Sequence, residues 1–144
     1  MSDSEEIKNL LDERSIERLL VRYCSIIDAK DFASLREVFT EDALIDYESA
    51  GGARGTREEI ITWLGEALAP FVVVQHMVSN FDIRIDGNQA HSTCYFHNPM
   101  GMPAANDKTS VFWCGGRYRD VLSRTPKGWR ITTRINETLY MHGA

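Results

Sequence analysis

The order of patterns along the chain predicts an α+β fold in which a curved antiparallel sheet wraps around N-terminal helices. Three observations predict it. Apolar residues recur at three- and four-residue spacing near the start, segments rich in β-branched and aromatic residues fill the second half, and turn sequences separate those segments. The 144 residues suit a single domain spanning 1–144 and are too few for two independent cores.

Residues 7–27 carry Ile7, Leu10, Leu11, Ile16, Leu19, Leu20, Tyr23, Ile26 and Ile27, the stripe of a helix laid on a core. A shorter helix is predicted over residues 31–39, with Phe32, Leu35, Val38 and Phe39 inward and Asp31 as N-cap. Residues 43–47 read as a short strand, and the glycines of 49–55 as a flexible turn without the lysine and serine of a phosphate loop. Thr56 and Glu59 have capping-box spacing before the buried stripe Ile60, Ile61, Leu64 and Leu68, which Pro70 closes. Strands are predicted over 71–85, 89–97, 109–122 and 129–140, divided by turn chemistry such as Asp86-Gly87-Asn88 and Thr125-Pro126-Lys127-Gly128. Residues 98–108, with Pro99, Gly101 and Pro103, are long for a hairpin connection and read as a loop or mobile lid.

Composition narrows the function. With 43% hydrophobic and 26% charged residues the chain has the balance of a globular protein, and its longest apolar run, 67–74, is broken by Pro70 and too short to cross a bilayer. The acidic start lacks the features of a secretory signal, so a cytoplasmic location is expected. A formal net charge of −5 with scattered basic residues argues against nucleic acid as partner. Cys24, Cys94 and Cys114 are far apart and lie among apolar neighbours, the pattern of buried reduced thiols. Neither a Gly-x-Ser-x-Gly elbow nor a His-Glu-x-x-His metal spacing occurs.

The residues that point to chemistry are few. Tyr23 lies in the middle of the first apolar stripe, and Asp28 follows five residues later, roughly 140° around an ideal helix, so it reaches a shared pocket only if the helix ends there. Alternation places Val72, Val74, His76, Val78 and Asn80 on one strand face. A histidine on an apolar face becomes an acid–base group when a carboxylate orients it, and Asp28 with His76 is the predicted dyad.

Tyr23-x4-Asp28 on a first helix, a following Asp31, a strand with Tyr47, and Gln75-His76 entering a long strand resemble the SnoaL-like dehydratases of the nuclear-transport-factor-2-like, cystatin-like group. Bile-acid 7α-dehydratase and scytalone dehydratase belong to that group. The resemblance covers essentially the whole chain and implies a cone-shaped fold enclosing one pocket. It implies His76 as general acid or base, Asp28 orienting it, and Tyr23 and Tyr47 hydrogen-bonding a substrate oxygen, with no metal or organic cofactor. Arg134 is similar in position to an arginine that lines the pocket in such enzymes. Alternation puts Arg134 on one face with Arg130, which is also the pattern of a solvent-facing strand arginine. The second pocket histidine of scytalone dehydratase finds its candidate in His97, which shares a face with His91, Thr93 and Tyr95. Arg134, Asn80 and His97 are thus the substrate-binding candidates.

The predicted function is a cofactor-independent dehydratase, lyase or isomerase acting on a small apolar hydroxy-carbonyl compound, such as a steroid or polyketide. Two rivals share the fold: a ketosteroid-isomerase-like enzyme with Asp46 as base, and a non-catalytic binding or assembly module. The aromatic residues Phe112, Trp113, Tyr118 and Trp129 suggest an outer sheet face that joins a homo-oligomer, a dimer or trimer.

Overall fold

The computed structural model of the protein describes residues 2–143; Met1 and Ala144, the two ends of the expected domain, lie outside the described residues. Among these residues the elements run α1 (Asp3–Asp28), β1 (Phe39–Asp46), β2 (Arg54–Thr56), α2 (Arg57–Ala67), β3 (Val73–Val74), β4 (Met77–Asp86), β5 (Gln89–Pro103), β6 (Thr109–Thr125) and β7 (Gly128–His142). The strands form one sheet in the order β2-β1-β7-β6-β5-β3, with β4 also paired to β5. Pairing is antiparallel except that β1 lies parallel to β7. The helices pack on the inner face of this curled sheet, and the class is α+β as predicted.

Ser2 starts α1 with a full capping box: its hydroxyl accepts from the Glu5 N–H, and the Glu5 carboxylate accepts from the Ser2 N–H at 3.1 Å. From Ile16 onward the apolar stripe is buried against the sheet. The expectation of burial from Ile7 is corrected, because Ile7, Leu10 and Leu11 are each more than half exposed. A helix of 26 residues is about 39 Å long, and its first turns outrun the sheet. Asp12 marks where contact begins: it accepts two bonds of 2.7 Å from Arg124 and one of 3.2 Å from the Trp129 indole.

The second predicted helix is a 3₁₀ segment, Phe32–Glu37, and Phe39 already belongs to β1. Asp31 caps no backbone group; its carboxylate takes the Ser34 hydroxyl at 2.5 Å. Thr56 does cap α2, accepting from the Glu59 N–H, and Ile60 and Leu64 are its buried residues.

Two departures in the sheet bear on the site. Most of the expected lid is strand: β5 pairs with β6 as far as Pro103 opposite Thr109, leaving only residues 104–108 as a turn. Inward alternation continues from Cys94 and Phe96 to Asn98, and the Pro99 carbonyl accepts the Gln75 N–H, so neither proline interrupts the ladder. In β7 the register shifts between Ile131, opposite Leu122, and Thr133, opposite Val121. Thr132 is the extra residue of this bulge, and it inverts the parity downstream. Trp129 and Ile131 point inward before it, Arg134 and Asn136 after it.

The three cysteines are free and buried. Of the aromatic residues assigned to an outer face, Tyr118 and Trp129 are core residues, and Phe112 is half-buried with its ring 5.6 Å from that of Phe71. Trp113 is exposed, on the outer face with Met77, Tyr95, Leu139 and Tyr140. No helix among the described residues is long and apolar enough to cross a membrane.

Candidate active site

The C-terminus of α1 is fastened to the chain that enters the sheet. After Asp28 the backbone turns through Lys30 at φ 56°, and the Lys30 ammonium donates to the carbonyl of Phe71 at 2.6 Å. This brings the last helical residue, Asp28, to the gap between β3 and β4, where His76 lies. The Asp28 carboxylate takes the backbone N–H of His76 at 3.0 and 3.1 Å and the imidazole Nδ1 at 2.8 Å. One carboxylate thus replaces a ladder bond and fixes the ring of the same residue. With Nδ1–H given to Asp28, Nε2 is the basic nitrogen of a ring that borders the inner cavity.

That cavity measures about 90 Å³. Its apolar wall includes Ile27, Trp63, Leu64, Leu68, Phe96 and Met100. Gly52 permits the wall to close, since a Cβ there would stand 2.6 Å from the Trp63 ring. Tyr23 and Tyr47 enter from α1 and the end of β1, their hydroxyls 2.6 Å apart. The Tyr23 ring meets the His76 imidazole edge to face at 6.4 Å. Only one proton lies between two phenols, so the other hydroxyl proton is not committed to the pair. Burial pushes both phenols well above their ordinary pKa, against the pull of the Arg134 guanidinium, so both stay protonated.

Arg134 is fully buried beneath this arrangement and does not border the cavity. Its guanidinium makes two 2.8 Å bonds to Asp120 and lies 4.0 Å from the centroid of Tyr118 and 4.3 Å from that of Tyr23. The solvent-facing alternative is corrected by the bulge at Thr132.

The structure does not bring the other candidates together. Asn80 occupies the extra position of a bulge in β4, at φ 55°, and is exposed. His97 is on the outer sheet face, where it hydrogen-bonds the Tyr140 hydroxyl. Asp46 points away from the face that carries Ala43, Ile45 and Tyr47, and its carboxylate holds the Glu48 N–H at 2.9 Å. Two wider hollows, about 510 and 440 Å³, lie on the outer face and touch neither Asp28 nor His76.

Two polar cavity residues, Asn98 and Asn136, had no role assigned from the sequence, and Tyr118, expected on an outer face, lines the cavity as well. Alternation from Cys94 and Phe96 finds Asn98 once β5 is carried past residue 97. Only the bulge explains Asn136.

A SnoaL-like domain profile matches residues 8–135, nearly the whole chain. The chain belongs to the SnoaL-like family. Among relatives of this family member is the uncharacterized protein Rv2910c of Mycobacterium tuberculosis, 43% identical over 129 residues that cover 90% of this chain and 86% of the relative. Among solved structures it is similar to a protein of Novosphingobium aromaticivorans provisionally assigned as a scytalone dehydratase, with a TM-score of 0.82 and 20% identity over 94% of this chain and 89% of that one. A nuclear-transport-factor-2-like protein with a cystatin-like fold from the same organism superposes with a TM-score of 0.69 and 23% identity, over 98% and 89% of the two chains. These likenesses establish the fold.

Proposed function

We propose that this SnoaL-like protein is a cofactor-independent lyase or isomerase that moves a proton next to a carbonyl group in the inner cavity. The observation that carries the reading is the Asp28–His76 hydrogen bond at 2.8 Å beside the Tyr23–Tyr47 hydroxyl pair. Asp28 orients the imidazole, fixes its tautomer and stabilises the imidazolium that forms. His76 Nε2 takes a proton from the carbon next to the carbonyl, and the developing enolate oxygen receives a hydrogen bond from the tyrosine pair. In the dehydratase form the enolate collapses to a conjugated carbonyl, the C–O bond to the adjacent hydroxyl breaks, and the imidazolium returns its proton to the departing oxygen as water. The similarity to a scytalone dehydratase candidate supports this form. The outward placement of Asp46 disfavours a carboxylate base there. Assembly into a homo-oligomer through the outer face that carries Tyr95, Trp113 and Tyr140 belongs to the same reading.

The test is turnover of a panel of small β-hydroxy ketones, followed by the absorbance of the conjugated product. Wild type is expected to convert at least one member, and His76→Ala to lose 10²-fold or more of that rate. Equal rates for the two proteins would refute the assignment.

A further inference from the structure

The buried amide of Asn98 has an unfilled hydrogen-bonding position. Asn98 is 5% exposed on the inner face of β5, and its Oδ1 has no hydrogen-bond partner. Its neighbours along that face are Phe96 and Met100, and Leu64, Leu68 and Cys114 border the same cavity. Tyr118 lies beside the amide, and Oδ1 remains unfilled. A buried carbonyl oxygen without a donor costs stability, and natural cores contain few such atoms. Where one borders a ligand cavity, a donor on the ligand accounts for it. A trapped water held by Asn98 and its polar neighbours Tyr118 and Asn136 is the competing occupant, and equal affinity for ketones with and without a hydroxyl is its outcome.

We propose that Asn98 is a specificity residue and that the substrate is a small hydroxy ketone whose hydroxyl donates to Asn98 Oδ1 while its carbonyl meets the tyrosine pair. The inference rests on the reading of the cavity as a carbonyl site. Size adds a second limit. The cavity of about 90 Å³ is smaller than the roughly 150 Å³ hollow that admits benzene, so the part of the substrate held inside it is small. A site built to accept a hydroxyl rejects the analogue without one, because the protein acceptor then stays unfilled.

Calorimetric titration with cyclohexanone and 4-hydroxycyclohexanone tests this on wild type, Asn98→Leu, Asn98→Ala and Tyr47→Phe, with circular dichroism to check folding. Wild type is expected to bind the hydroxy ketone at least tenfold tighter than cyclohexanone. Both Asn98 variants should bring that ratio to within about twofold of one, and Tyr47→Phe should weaken both ketones together. Asn98→Leu, which removes the unfilled acceptor, is also expected to melt no lower than wild type. A wild-type ratio near one, or a ratio that survives in a folded Asn98 variant, overturns the inference while Tyr47-dependent ketone binding leaves the carbonyl site standing. Failure of both ketones to bind, or ketone affinity indifferent to Tyr47→Phe, overturns the carbonyl site and the inference with it.

Discussion

Arg134→Met is expected to cost about 3–5 kcal/mol of folding stability, the range for breaking a buried ion pair by removing one partner. The structure puts this site at the severe end of substitutions. Arg134 is fully buried and Asp120 is 3% exposed, and both guanidinium–carboxylate bonds are 2.8 Å long. Methionine fills much of the volume, so the loss comes from a carboxylate left in the core without a cation. The contacts of the guanidinium with the Tyr23 and Tyr118 rings go as well. Against a total of about 5–15 kcal/mol for a domain of this size, the variant keeps only a fraction of its margin. The double variant Arg134→Met/Asp120→Leu removes both charges and should recover most of the loss, to within about 1–2 kcal/mol of wild type. Urea unfolding followed by circular dichroism, with the slopes compared between variants, measures both. A single variant that loses under about 1 kcal/mol, or a double variant no better than the single, would refute the reasoning.

Other outcomes follow from the same geometry. Tyr23→Phe and Tyr47→Phe each remove one member of the hydroxyl pair and should lower kcat on the order of 10²-fold while the fold persists; steady-state kinetics with the converted hydroxy ketone checks this. Burial pushes the Cys24 thiol up to about 11 and Cys94 up to about 12, so at pH 8 both should react slowly with an aromatic disulfide reagent in the native protein and fast in urea. The hydrogen bond from Arg124 holds the Asp12 carboxyl below its ordinary value, against the effect of burial. Its contribution is therefore complete above about pH 4 and is lost as pH falls through the depressed value. Asp12→Asn should lower stability by about 1–3 kcal/mol at neutral pH and flatten the acid limb of a melting-temperature profile.

The sequence carried the fold where periodicity was strong and local. The α1 stripe, the Thr56 cap and the turns at residues 86–88 and 125–128 depend on neighbours a few positions away. The placement of Asp28 beside His76 was legible in part: Asp28 follows the last apolar residues of the helix stripe, whereas His76, read inside one strand over 71–85, lies in the gap between β3 and β4. Asn80 rested on strand parity alone, while His97 and Arg134 came from the resemblance and parity bore on which face each would occupy. His97 fell on the outer face that its parity with Tyr95 allowed. Bulges at Asn80 and Thr132 changed parity for the other two, and a bulge is set by the partner strand, which alternation in one segment does not contain. The same limit hid Asn136. The stretch from Asn98 read as a loop because Pro99, Gly101 and Pro103 weaken strand propensity. Pairing with β6 overrides that weakness, since the prolines fall where no backbone donor is required.

Proton abstraction by His76 is the central claim, and it is measured without knowing the leaving group by following the α-protons of cyclohexanone in D₂O by proton NMR. The account predicts that the protein accelerates their exchange for deuterium, that Asp28→Asn slows it, and that His76→Ala reduces it to the buffer rate. Exchange that is absent in wild type, or that proceeds equally fast in folded His76→Ala, would contradict it.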